Sequence, residues 1–205
     1  MSLLNTIFKN KLFITLLFLT IILIICQYFQ KDIYFNRNDI NHGQWWKLFS
    51  GHFTHSNYPH LLLNLAGLWI LGLLFIDTFT TKTFILSNVF LTIMVGYGLF
   101  YFSPELSAYY GYSGVLYGLY LVGAVSAILK KDFFTGYCVA ILICGKTLWD
   151  AIFGGSQASA DLIGVPVAND AHLYGVIGAI ALSVFLYVIW YLSLKKDTPP
   201  LFKGF

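Results

Sequence analysis

The chain has 205 residues, of which 58% are hydrophobic and only 10% charged, against about 25% charged in ordinary soluble domains. A surface this poor in charge cannot all face water, so lipid is the expected surroundings. The formal net charge of +3 is too small to suggest a nucleic-acid partner, and no linker, charge block or repeat divides the chain. The reading is therefore an all-α polytopic membrane protein, with residues 1–205 forming a single membrane domain.

Apolar runs fall at about 12–29, 60–76, 84–102, 113–129, 133–153 and 170–193. A helix needs about 20 residues to cross the hydrocarbon, with about 17 as the lower limit, so the fourth run is short. Each crossing segment must satisfy its own backbone hydrogen bonds, which makes these runs helices. Lys9 and Lys11 precede the first run as in a signal peptide, but no small-residue cleavage site follows it, so it is read as a retained helix.

Eight of the twelve Lys and Arg residues fall on one side of such a six-helix bundle: Lys9, Lys11, Lys82, Lys130, Lys131, Lys195, Lys196 and Lys203. Lys31, Arg37 and Lys47 fall on the other side, in the first connection. The positive-inside rule then predicts that both termini are cytoplasmic, and an even number of spans demands the same. The first connection, 30–59, carries Tyr34, Phe35, Trp45, Trp46, Phe49, Phe53 and Tyr58. Such a segment is expected to rest in the outer interface, partly as short amphipathic helices.

Several polar residues invite chemistry. In Gly111-Tyr112-Ser113-Gly114, a serine sits where a loop enters a helix, so that free backbone N–H groups face outward beside it. The plainer reading is a small-residue helix contact. His172, in Ala171-His172-Leu173-Tyr174-Gly175, is an ionisable group in a membrane helix, where such groups are costly and commonly functional; it titrates in the range a base for a serine needs. Ser113 and His172 are predicted to lie at similar depth near the outer ends of their helices. His60 and Asn64, spaced i, i+4 at the start of the second span, share a helical face. They serve either as donors to an oxyanion or as a polar clamp between helices.

His52, His55 and His60 lack a zinc ligand spacing, so no metal or other cofactor is expected. Cys26, Cys138 and Cys144 are read as packing residues. Lys146 and Asp150, four apart in the fifth run, are expected to pair, either to fix that helix or to contact a substrate.

Taken together, these elements resemble the rhomboid family of intramembrane serine proteases. The resemblance rests on Trp46-Lys47, His55, the His60 and Asn64 helix start, Gly111 to Gly114, Tyr117, and Ala171-His172 with Gly175, in family order over about residues 45–180. It implies a six-span bundle, with Ser113 as nucleophile and His172 as its base in a dyad, without a third carboxylate; Asp170 is given no role. It also implies an oxyanion hole of His60, Asn64 and the Ser113 backbone, and Tyr117 stacked on His172, with Gly111 and Gly114 in support. The Lys of Trp46-Lys47 replaces the family's usual Arg, a change expected to weaken the anchoring of the first loop because lysine lacks the planar fork. The runs Ser113 to Leu119 and Asp170 to Gly175 look most like the bacterial rhombosortase branch. That branch implies an inner (plasma) membrane protein, active near its periplasmic face, that clips Gly-Gly-type C-terminal anchors from exported proteins. The alternatives are a catalytically silent binder or escort of transmembrane helices and a small-solute transporter. Oligomeric state is not legible.

Overall fold

The computed structural model describes residues 11–194. Its helices in chain order are α1 (Lys11–Tyr28), α2 (Gln30–Ile33), α3 (Arg37–Asn41), α4 (Lys47–Ser50), α5 (Tyr58–Leu74), α6 (Thr81–Phe102), α7 (Ser113–Leu129), α8 (Phe133–Phe153), α9 (Gln157–Ile163) and α10 (Asn169–Leu194). A 3-10 turn, Gly51–Phe53, follows α4. Two short strands, β1 (Phe35–Asn36) and β2 (Ala108–Tyr109), pair antiparallel, Phe35 opposite Tyr109. The six long helices coincide with the six apolar runs to within three residues at either end.

Four of them, α1, α6, α8 and α10, are by themselves long and apolar enough to cross a membrane. Helix α5 reaches that length only together with the segment Lys47–Phe53, from which it bends by 85°. Helix α7 has 17 residues, about 26 Å of rise, which is shorter than the ~30 Å of hydrocarbon. A helix of this length is viable because the others surround it: α10, α8, α6 and α5 all pack against α7, most of whose residues are buried.

Small residues set how closely the helices approach. A Cβ at Gly175 of α10 would lie 2.0 Å from the Gly114 carbonyl oxygen of α7, and one at Gly118 would lie 2.8 Å from the Gly175 oxygen. Backbone therefore meets backbone where α7 and α10 begin. Local capping fixes the helix starts. Asn57 accepts from the His60 N–H at 2.8 Å, Thr80 and Thr83 form a reciprocal capping box, and Asp132 accepts from the Thr135 N–H.

The first connection is ordered by a residue that the sequence marked only as a charge. Arg37 donates to four carbonyls, those of Leu99, Phe100, Ser103 and Leu106, at 2.7–2.8 Å. Three of these lie at or just past the end of α6, where helix carbonyls lack partners. Lys47 is buried, binds Asp39 at 2.6 Å and lies over the Tyr34 and Trp46 rings, while the planar fork in this connection comes from Arg37. Trp45 and Trp46 are half exposed, whereas Phe35 is fully buried, so the segment is part core and part surface.

Lys130 donates to the Asp77 and Thr78 carbonyls, which joins the connections before α6 and after α7 at one end of the bundle. The starts of α5, α7 and α10 meet at the other end. Lys9, Lys195, Lys196 and Lys203 of the basic-residue count lie outside the described residues. Cys138 and Cys144 are exposed rather than packed, Cys26 is intermediate, and all three are free thiols; α8, the helix carrying the first two, turns much of its surface away from the bundle.

Candidate active site

Ser113 is the first residue of α7, so its backbone N–H belongs to the first turn, where no carbonyl of the helix can reach it. Gly111 makes the turn into that helix. Its φ of +120° disfavours any side chain, and a Cβ there would lie 2.8 Å from His60 Nε2 and 3.9 Å from Ser113 Oγ. The intervening Tyr112 is fully buried and hydrogen-bonded to Asn88 of α6, which pins the turn from below.

His172 arrives from the first turns of α10. Its Nε2 is 3.0 Å from Ser113 Oγ, and the close approach of Gly114 to Gly175 is what sets that separation. Tyr117, one turn along α7, stacks on the imidazole with ring centroids 4.0 Å apart and planes 3° apart. The Nδ1 of His172 is buried and has no hydrogen-bond partner. Asp170 does not supply one: its carboxylate accepts from the Ser103 hydroxyl, which also lies 3.0 Å from the Tyr174 hydroxyl.

His60 and Asn64 face the same cavity as the serine and the imidazole. Ser56 Oγ donates to the Ile163 carbonyl at 2.7 Å and lies 3.0 Å from His60 Nδ1. A hydroxyl has one hydrogen, so Ser56 accepts from His60, and Nδ1 carries the proton. The Nε2 of a neutral His60 is then an acceptor and donates only once it too is protonated. Asn64 commits one N–H to the His60 carbonyl at 3.0 Å and retains the other.

The cavity beside Ser113 measures about 550 Å³, and Tyr117 and Lys146 also line it. A second, of about 300 Å³, lies on the other side of Ser113 and His60, walled by the segments 105–110 and 165–168. A chain crossing the serine has room on both sides of it. His52 and His55 are buried with ring nitrogens unpartnered. The His55 ring meets that of His60 edge-on at 5.1 Å, and its backbone is tied to Gln27 of α1 by two hydrogen bonds of 2.9 Å.

Three residues near the site escaped the sequence reading. Ser56 lies just before the N-cap Asn57 of α5, outside the helix, so its spacing to His60 gave no helical-face signal. Tyr109 had none either; its hydroxyl faces Ser113 and the Gly114 N–H without good hydrogen-bond geometry to either, and burial pushes its phenol well above the ordinary range. Arg37 touches the site only indirectly, by holding the carbonyl of Leu106, a residue of the second cavity's wall.

The Rhomboid domain family model matches residues 42–189 of the chain. The chain is also similar to Rhomboid-like protein 11, chloroplastic, of Arabidopsis thaliana, at 27% identity over 161 residues. That alignment covers 75% of this chain and 54% of the relative, so the chain spans about half the relative's length.

Proposed function

The chain belongs to the rhomboid family, and we propose that it is an intramembrane serine endopeptidase with Ser113 as nucleophile and His172 as general base. The observation that carries this reading is the 3.0 Å separation of Ser113 Oγ and His172 Nε2, inside a cavity roomy enough for peptide. Ser113 Oγ attacks the scissile carbonyl carbon while Nε2 takes its proton. The imidazolium then gives that proton to the leaving amine, and the C–N bond breaks. Water entering the cavity loses a proton to His172 and attacks the acyl-serine; the C–O bond to Ser113 then breaks, the imidazolium returns the proton to Ser113 Oγ, and the new C-terminal acid leaves.

The oxyanion is held by the Ser113 backbone N–H and the free N–H of Asn64. His60 joins them when its Nε2 is protonated, its Nδ1 remaining on Ser56. Tyr117 keeps the imidazole plane fixed in place of a carboxylate partner, and Gly111 and Gly114 leave room for the substrate backbone. The runs Ser113 to Leu119 and Asp170 to Gly175 favour the rhombosortase branch, and with it Gly-Gly-type C-terminal anchors of exported proteins as substrates. In this reading the protein lies in a bacterial inner membrane with both ends cytoplasmic and Ser113 toward the periplasm.

The test is cleavage of a single-span Gly-Gly reporter in proteoliposomes. Wild type is expected to cut it, and Ser113→Ala and His172→Ala to lose all cleavage while keeping their fold. Undiminished cleavage by Ser113→Ala would remove the dyad. Binding of the reporter with no cleavage by wild type would favour the silent escort of transmembrane helices.

A further inference from the structure

Lys146 is a charged side chain that the reaction above leaves unused. It lies in the wall of the cavity that holds Ser113 and His172. It also borders a neighbouring groove of about 660 Å³ along α8, beside Trp149 and Phe153. Both carboxylate oxygens of Asp150 accept from its ammonium. The pair is lopsided: the Asp150 side chain is 2% exposed and that of Lys146 47%. An ammonium has three N–H donors, so at least one remains for a ligand, at a depth about 10 Å short of the α8 terminus at Phe153.

We propose that Lys146 is a substrate-binding residue that donates to main-chain carbonyls of the unwound transmembrane segment. The proposal rests on the reading that this cavity receives such a segment. A protease must open the helix it cuts, and each carbonyl thereby stripped of its partner in hydrocarbon is destabilising unless a donor replaces it. A segment passing from the α8 groove into the cavity runs over Lys146. The chemistry favours a neutral acceptor over an anion. Lys146 and Asp150 are together neutral, so they exert little net attraction on a third charge, which would also have to be desolvated. Recognition by Lys146 is therefore of backbone, largely independent of side-chain sequence.

The test is binding, so that it stands apart from catalysis. Full-length Ser113→Ala protein in lipid nanodiscs is titrated with a fluorescent synthetic single-span peptide containing Gly-Gly, and with the same peptide carrying Glu beside it. The double change Lys146→Met with Asp150→Asn leaves no lone buried charge and should preserve the fold. It is expected to weaken binding of the neutral peptide about ten- to a hundredfold, the loss of one hydrogen bond to a charged donor. Lys146→Arg should bind within a few-fold of the parent, and Asp150→Asn alone should shift preference toward the Glu peptide. Unchanged binding by the double variant overturns the proposal, as does failure of the parent to bind either peptide or a parent preference for Glu above tenfold. Failure of the protease reading shows separately, as wild type that binds the peptide without cutting it.

Discussion

Tyr117 and His172 are stacked in register, their ring planes 3° apart and their centroids 4.0 Å apart. Because His172 Nδ1 has no partner, this contact and the bond to Ser113 are what orient the ring. A stack of this kind is worth about 0.5–1.5 kcal/mol. Tyr117→Leu should therefore lower kcat by roughly two- to tenfold with KM little changed, and Tyr117→Phe should restore most of it. Steady-state cleavage of a single-span reporter measures both.

Ser56 fixes the proton on His60 Nδ1 by donating to the Ile163 carbonyl and accepting from the ring. In Ser56→Ala that proton is free to move to Nε2. Nitrogen-15 NMR of labelled protein should find the Nδ1–H tautomer in the resting wild type and a mixture in Ser56→Ala. A wild-type His60 protonated only at Nε2 would contradict the assignment.

The α7–α10 contact leaves no space at Gly175, where a Cβ would meet the Gly114 oxygen at 2.0 Å. Gly175→Ala must push the helices apart and part Ser113 from His172. It should cost about 1–3 kcal/mol or more of stability and lower activity further than that loss alone explains. Gly145 of α8 has nothing within 4 Å of its Cβ position, so Gly145→Ala is the matched control. It should leave the melting temperature in detergent unchanged or slightly raised.

Arg37 ties the first connection to the end of α6 through four carbonyls. Arg37→Ala should destabilise the protein by about 3 kcal/mol, since hydrogen bonds to charged groups contribute about 1.5–3 kcal/mol each and several act together here. Arg37→Lys should recover only part of that, because one ammonium cannot span the four acceptors. Hydrogen exchange over residues 99–107 should rise in both variants.

The spans were legible because apolar length is a strong and local signal: all six runs became helices. Ser113, His172, His60 and Asn64 were legible as candidates because a polar group is costly where they stand, and the structure brings all four to one cavity. What the sequence concealed depends on pairing across the fold. Nothing local distinguishes Arg37 from Lys31, yet one caps α6 and the other does not. The Lys47 ion pair was not legible because its partner Asp39 is eight residues away, across a turn. Cys138 and Cys144 were misjudged because an apolar run does not reveal which of its faces meets the bundle.

The most direct measurement is mass spectrometry of the purified protein after reaction with a fluorophosphonate. Ser113 and His172 acting as a dyad predict one adduct, on Ser113, absent in Ser113→Ala and formed far more slowly in His172→Ala. A folded wild-type protein with no adduct on Ser113, or with equal labelling in His172→Ala, would contradict the account.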